Sequence, residues 1–271
     1  MLKRFFVALI VGLLMMSSQI AAAEVDWNKA PLIGSKAELA RYIENGRCAG
    51  QTAFYVILTY FNFSSDEENF NKERDKFSEE FSNGFEIAIR ANVNGIPGTG
   101  RLIYTIKEEY PGTRVANAHL SGNTSNLNSE EQNLYDVAVG IVNEANKLSS
   151  EREKAKYIHD EICNRVEIYE EDKNTAIYAL IYKKANCMGY ADAFYMLGRM
   201  CGLNVGRIGG YLNNGTPHAW NTITFNDGKT YCVDVRLDDA YNSDYWFLAT
   251  FERMNENHWC EWEIIPNLQR T

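Results

Sequence analysis

Cys187, His218 and Asp234 are a thiol, an imidazole and a carboxylate whose spacing in the chain allows a nucleophile to be paired with its base. Cys187 lies near the start of the segment KANCMGYADAFYMLGRMCG, residues 184–202, in which Tyr190, Phe194, Leu197 and Cys201 recur at helical spacing. Asn186 suits an N-cap and Gly202 a C-terminal stop. Cys187 is thereby predicted in the first turn of a helix, where unsatisfied backbone N–H groups and the positive dipole end favour a thiolate. The same N–H groups can receive a developing oxyanion.

The base and its carboxylate come from a predicted hairpin. His218–Phe225 and Thr230–Leu237 read as two strands around Asn226-Asp227-Gly228. A two-residue Asp-Gly turn would set His218 and Asp234 on opposite sheet faces. A three-residue loop with Gly228 in the left-handed region instead pairs Phe225 with Lys229, Trp220 with Asp234 and His218 with Arg236. His218 and Asp234 are then diagonal neighbours, roughly 7–8 Å apart at the backbone and closer at the side chains. An aspartate so placed fixes the imidazole tautomer and stabilises the imidazolium formed when the histidine takes a thiol proton. Ala219, Ile223, Phe225, Tyr231, Val233 and Val235 collect on the other face as core.

The segments ANCMGYADAF, PHAWNTI and YCVDVRLDD resemble the cysteine, histidine and aspartate motifs of the transglutaminase-like superfamily. The segments EREKAKYIHDEICNRV and YWFLATFERM are similar to parts of its bacterial exported members, so the resemblance covers roughly residues 130 to 260. It implies Cys187 as nucleophile, His218 as general base and acid, and Asp234 as orienter. The fold implied is α+β, a papain-like core with the cysteine helix packed on an antiparallel sheet that carries the histidine and aspartate. Cys232 departs from the pattern, since similar sequences often carry histidine there.

Trp220 and Tyr190 are oxyanion or cleft candidates by position alone. Six cysteines, Cys48, Cys163, Cys187, Cys201, Cys232 and Cys260, permit 15 complete pairings, and a reactive Cys187 leaves an odd number. Cys232, Cys163 and Cys260 are the candidates for a disulfide or redox role. His159 and Cys163, four apart on a predicted helix, have a spacing that could hold a metal, but no second close pair completes a site and they read as packing. His258, Trp259, Cys260 and Trp262, with Trp246, read as packing beneath or beside the site, or as a cleft wall.

These groups need a scaffold. Thr52–Tyr60 and Arg101–Lys107 read as strands of a small N-terminal α/β subdomain. Between them Ser65 and Glu68 form a capping-box pattern ahead of a Phe70, Phe77 and Phe81 stripe that Asn83 and Gly84 stop. Ala118–Asn128 is polar and loop-like. Beyond it Leu134, Val137, Ile141, Ala145 and Leu148 mark one helix; Ser150 with Glu153 caps another, on which Ala155, Ile158, Ile162 and Val166 form the apolar face. The expected domains are a signal peptide over 1–23, the N-terminal α/β subdomain over 24–128 and the transglutaminase-like catalytic domain over 129–271.

The leader is read from Lys3 and Arg4, the apolar run Phe5–Met16 and the small residues Ala21 to Ala23. It predicts export to the periplasm, the cell envelope or the medium. The run is shorter than the roughly 20 residues of a spanning helix, so no stable membrane insertion is expected after cleavage. Losing Lys3 and Arg4 makes a formal net charge of -9 more negative still, which argues against nucleic acid and favours neutral or cationic protein or peptide substrates. Glu170–Asp172 and Asp238–Asp239 lack the ligand spacing of a calcium loop, and no cofactor or metal is expected. The expected function is thiol-dependent hydrolysis of protein or peptide amides; the alternatives are protein-glutamine cross-linking and a non-catalytic envelope binding or scaffold module.

Overall fold

The computed structural model describes residues 25–48, 51, 53–84, 89–260, 262, 265 and 267–271. The expected signal peptide lies outside them. Among the described residues no helix is long and apolar enough to cross a membrane. The chain divides into two compact units, one carrying residues up to Ser78 with Ala91–Ile106, the other Glu79–Arg90 with Lys107–Thr271.

The first elements are β1 (Leu32–Ile33), α1 (Lys36–Cys48), β2 (Ala53–Leu58), α2 (Glu67–Gly84), β3 (Ile89–Gly95) and β4 (Arg101–Glu109). The strands form one sheet in the order β1-β2-β4-β3. Strict alternation along β2 buries Phe54, Val56 and Leu58. The start of α2 is one residue later than the Ser65–Glu68 pattern suggests: Asp66 Oδ1 accepts from the Asn69 amide at 3.0 Å, and aspartate outcompetes a neighbouring serine for the same task. Phe70 and Phe77 are buried and pack on Phe63, at ring separations of 5.5 and 6.1 Å. The side chain of Phe81 and the backbone of Thr52 lie outside the described residues.

The site belongs to the second unit. Its elements are α3 (Pro111–Ser121), α4 (Ser129–Ala145), α5 (Glu151–Arg165), β5 (Glu167–Ile168), α6 (Ala176–Leu180), β6 (Lys184–Ala185) and α7 (Cys187–Met200). They are followed by β7 (Asn204–Leu212), β8 (Pro217–Thr224), β9 (Thr230–Val233), α8 (Val235–Tyr241), α9 (Phe251–Met254) and β10 (His258–Trp259). Helix α7 is buried on nearly every side from Gly189 to Gly198 and packs against α3, α5, α6, β7 and β8. A helix apolar all round belongs at the centre of a fold. The sheet beside it is antiparallel throughout, in the order β10-β7-β8-β9.

Helix α3 overrides the loop-like reading of Ala118 onward. Pro111 suits its first turn, and Gly122, with φ of +67°, ends it in the left-handed region. Its buried face is made of Gly112, Thr113, Val115, Ala116 and Ala118, side chains too small to give a strong periodic signal. Strand β7, which the sequence reading does not single out, is diluted by Gly206, Gly209 and Gly210. At Gly210 a Cβ would lie 2.2 Å from the Trp259 carbonyl oxygen and 2.6 Å from the Trp220 ring.

The capping box of Ser150 and Glu153 forms as expected. So does the hairpin register: Asn221 pairs with Val233, Thr222 with Cys232, Ile223 with Tyr231 and Thr224 with Thr230. The Phe225 amide donates to the Lys229 carbonyl at 3.0 Å, and Gly228 has φ of +79°. This is the three-residue loop with a left-handed glycine. Beyond Val233 the expected strand fails. Asp234 caps α8 by accepting the Leu237 amide at 3.0 Å, so His218 and Arg236 never pair and Arg236 instead meets Glu170 in an ion pair. An aspartate's capping bond outweighs the weak strand alternation of Val235 to Leu237.

Candidate active site

Asn186 Oδ1 accepts the amides of Met188 and Gly189 at 3.1 and 3.2 Å, which fixes the first turn of α7 and presents Cys187 at the positive end of a 14-residue helix. The Cys187 thiol is free and half-buried. It faces the imidazole of His218, near the start of β8. His218 is 6 % exposed, and its Nε2 lies 2.6 Å from Asp234 Oδ2. That bond occupies Nε2 and leaves Nδ1 as the ring nitrogen open to another partner.

Burial pushes the His218 imidazole down, but the charge and hydrogen bond of Asp234, together with the Cys187 sulfur, more than offset it and raise its pKa to about 10. For Asp234 burial pushes the other way, upward. The imidazoles of His218 and His258 overcome it and hold the carboxyl well below the usual carboxylate range. The site therefore favours a carboxylate beside an imidazolium.

His258 is the residue that sequence reasoning left among the packing aromatics. Its Nε2 lies 2.9 Å from the same Asp234 Oδ2, and the ring sits against Trp246 at 4.7 Å, Trp220 at 5.0 Å and His218 at 5.7 Å. The contact arises because His258 pairs with Leu212 while Gly210, two residues earlier on β7, pairs with His218. No local spacing encodes that meeting.

The two oxyanion or cleft candidates are both buried. Trp220 is 1 % exposed and stacks on His218 from within, at a ring separation of 6.2 Å. Tyr190 is equally buried, and its hydroxyl is engaged with the Val166 carbonyl at 3.0 Å and with Asp239 Oδ2 at 2.5 Å. Of the cysteines expected in a disulfide or redox role, Cys232 and Cys163 are free thiols, as is Cys201. Burial pushes Cys201 up to about 11 and Cys232 up to about 12, so both are poor nucleophiles. From the same cluster, Trp246 and Cys260 are buried beside His258 in sequence or space, while Trp259 is exposed.

His159 and Cys163 pack as a linked pair, with the sulfur 4.0 Å from Nε2. The same Nε2 lies 3.1 Å from Asp238 Oδ2, and Nδ1 lies 2.9 Å from Asp160. They line a polar cavity of about 500 Å³ with Asp160, Asp238, Asp239 and Asp244. Ligand atoms of His159, Asp160 and Asp244 lie within 4.8 Å of one another, but the Lys156 ammonium bridges Asp160 and Asp244 at 2.5 and 3.1 Å and already supplies a cation there. His218, Asp234 and His258 meet the same distance criterion, with both imidazoles hydrogen-bonded to the carboxylate.

A family model described as the transglutaminase-like superfamily matches residues 137–235, which takes in Cys187, His218 and Asp234 and stops short of His258. No curated protein matches the chain. Among solved structures, one of a TGase shares 18% identity over 76% of this chain and 59% of its own, with a TM-score of 0.37. The periplasmic domain of TgpA from Pseudomonas aeruginosa shares 13% over 55% of this chain and 58% of its own, with a TM-score of 0.35. A candidate cysteine protease from Cytophaga hutchinsonii shares 16% over 54% and 61%, with a TM-score of 0.32. The chain thus spans between 58% and 61% of the length of these three structures.

Proposed function

Because residues 137–235 belong to the transglutaminase-like superfamily, we propose that the chain is an exported thiol-dependent hydrolase or acyltransferase acting on protein or peptide amides, with Cys187, His218 and Asp234 as its triad. The observation that carries the reading is the 2.6 Å bond from His218 Nε2 to Asp234, on an imidazole that also interacts with the Cys187 thiol. Export rests on the leader pattern of residues 1–23.

In this mechanism the thiol proton rests on His218 as an imidazolium, and the Cys187 thiolate attacks the substrate carbonyl carbon. The oxyanion settles at the start of α7. The Met188 and Gly189 amides are bound to Asn186, so the Cys187 amide is the first-turn donor left for it. The C–N bond breaks as His218 protonates the departing amine, which leaves a thioester. Water then gives His218 a proton, attacks the thioester and releases the acid, and the sulfur recovers its proton. Partial exposure of Cys187 gives water access, which favours hydrolysis; an amine in the same position would give cross-linking.

Iodoacetamide at neutral pH is expected to label Cys187 ahead of the buried Cys201 and Cys232, and His218→Ala is expected to slow that labelling roughly 10- to 100-fold. Uniform slow labelling of all thiols would instead mark a binding or scaffold module. Incubation with casein and a fluorescent amine separates the acyl acceptors. New N-termini identify a peptidase, and amine incorporation without cleavage identifies a cross-linker.

A further inference from the structure

We propose that His258 is a positioning residue of the site, whose Nε2–H holds the Asp234 carboxylate in the orientation from which it steers His218. The proposal rests on the triad reading above and adds to it a residue that lies outside the matched family segment.

Asp234 Oδ2 takes His218 Nε2 at 2.6 Å and His258 Nε2 at 2.9 Å, while Oδ1 takes the Leu237 amide at 3.0 Å. Two donors from α8 and β10 therefore fix the plane of a buried carboxylate whose third partner is the base itself. Without His258, Oδ2 would be held by His218 alone, and the group doing the steering would turn with the group being steered.

The donor is equally constrained. His258 is 1 % exposed and wedged against Trp246 and Trp220, so the ring has no room to pivot. Its Nδ1 is buried and has no hydrogen-bond partner among the described residues. A proton there would be buried without an acceptor, which assigns the ring proton to Nε2, the nitrogen aimed at Asp234. An imidazole serving only to fill this aromatic box would leave Nδ1 desolvated for no return, where a phenyl ring would fit the same surroundings. The bond to Asp234 is the return the structure offers.

The test compares iodoacetamide labelling of Cys187 at neutral pH in the full-length protein and three variants. His258→Phe keeps the ring and loses the donor; His258→Gln keeps a donor at the reach of Nε2. His258→Phe is expected to melt near the wild-type temperature and to label Cys187 roughly tenfold or more slowly, the scale of one lost charge-assisted hydrogen bond. His258→Gln is expected to restore the rate to within about threefold of wild type. A purely structural role predicts no such rescue. Wild-type labelling in His258→Phe, with His218→Ala slow, overturns this proposal and leaves the triad standing. Unchanged labelling in His218→Ala overturns both. Should the His258 variants fail to fold, nitrogen NMR of histidine-labelled wild-type protein reads the tautomer directly: Nε2–H on His258 agrees with the proposal, and Nδ1–H overturns it.

Discussion

At the scale of single residues, Asp234 and His218 tie stability to pH in opposite directions. The folded-state pKa of His218 is raised from 6.5 to about 10, so its contribution is complete below about pH 6.5 and is lost as pH climbs toward 10. That of Asp234 is lowered from 3.8, so its contribution is present above about pH 4 and is lost in acid. Both titrations report one interaction, to be counted once. Urea midpoints measured across pH should therefore be highest between about pH 4 and 6.5 and decline toward pH 10. In Asp234→Asn the alkaline decline should largely disappear; a decline of unchanged size would show that it comes from elsewhere.

Among the elements, α7 is held in place by a buried ion pair. Asp192 accepts the amides of Gly112 and Ala176 at 3.2 and 2.8 Å and pairs with Arg207, whose other terminal nitrogen donates to Thr113 Oγ1 at 2.6 Å. One side chain thereby links α3, α6, α7 and β7. Asp192→Ala would leave a guanidinium and two amides buried without their acceptor, and should cost roughly 3–5 kcal/mol in urea unfolding. A loss under about 1 kcal/mol would mean that water replaces the carboxylate.

The same elements show what a sequence does and does not make legible. The cysteine helix, the Ser150–Glu153 capping box and the hairpin register are readable because each rests on local chemistry: a cap, a stripe, a loop length that only one pairing satisfies. Asn128 with Glu131 at the start of α4 is a further such box, which the sequence reading does not single out beside the stripe beginning at Leu134. Helix α3 was illegible because its buried face is nearly all small residues. The turn at Asp234 was misread because a capping aspartate and a strand aspartate look alike until the next residues' hydrogen bonds are known. His258 was missed because its partner is reached across two strand pairings.

For the molecule as a whole, the formal charge of -9 sets a long-range preference that no contact in the site supplies. On the proposed reading as a hydrolase, turnover of lysine-rich peptides should fall as salt rises from about 50 to 300 mM, while that of neutral peptides of the same length should hardly change, because the Debye length shrinks below the reach of the surface field. Equal salt sensitivity for both would remove charge as a selector. The loop at Asn226-Asp227-Gly228 also governs more than its own backbone. Its length acts as a parity rule: with an odd count the downstream acid emerges beside the imidazole, and with an even one it would surface among hydrocarbon. An insertion or deletion of a single residue at this turn would therefore part Asp234 from His218, whereas one of two residues would preserve their common side.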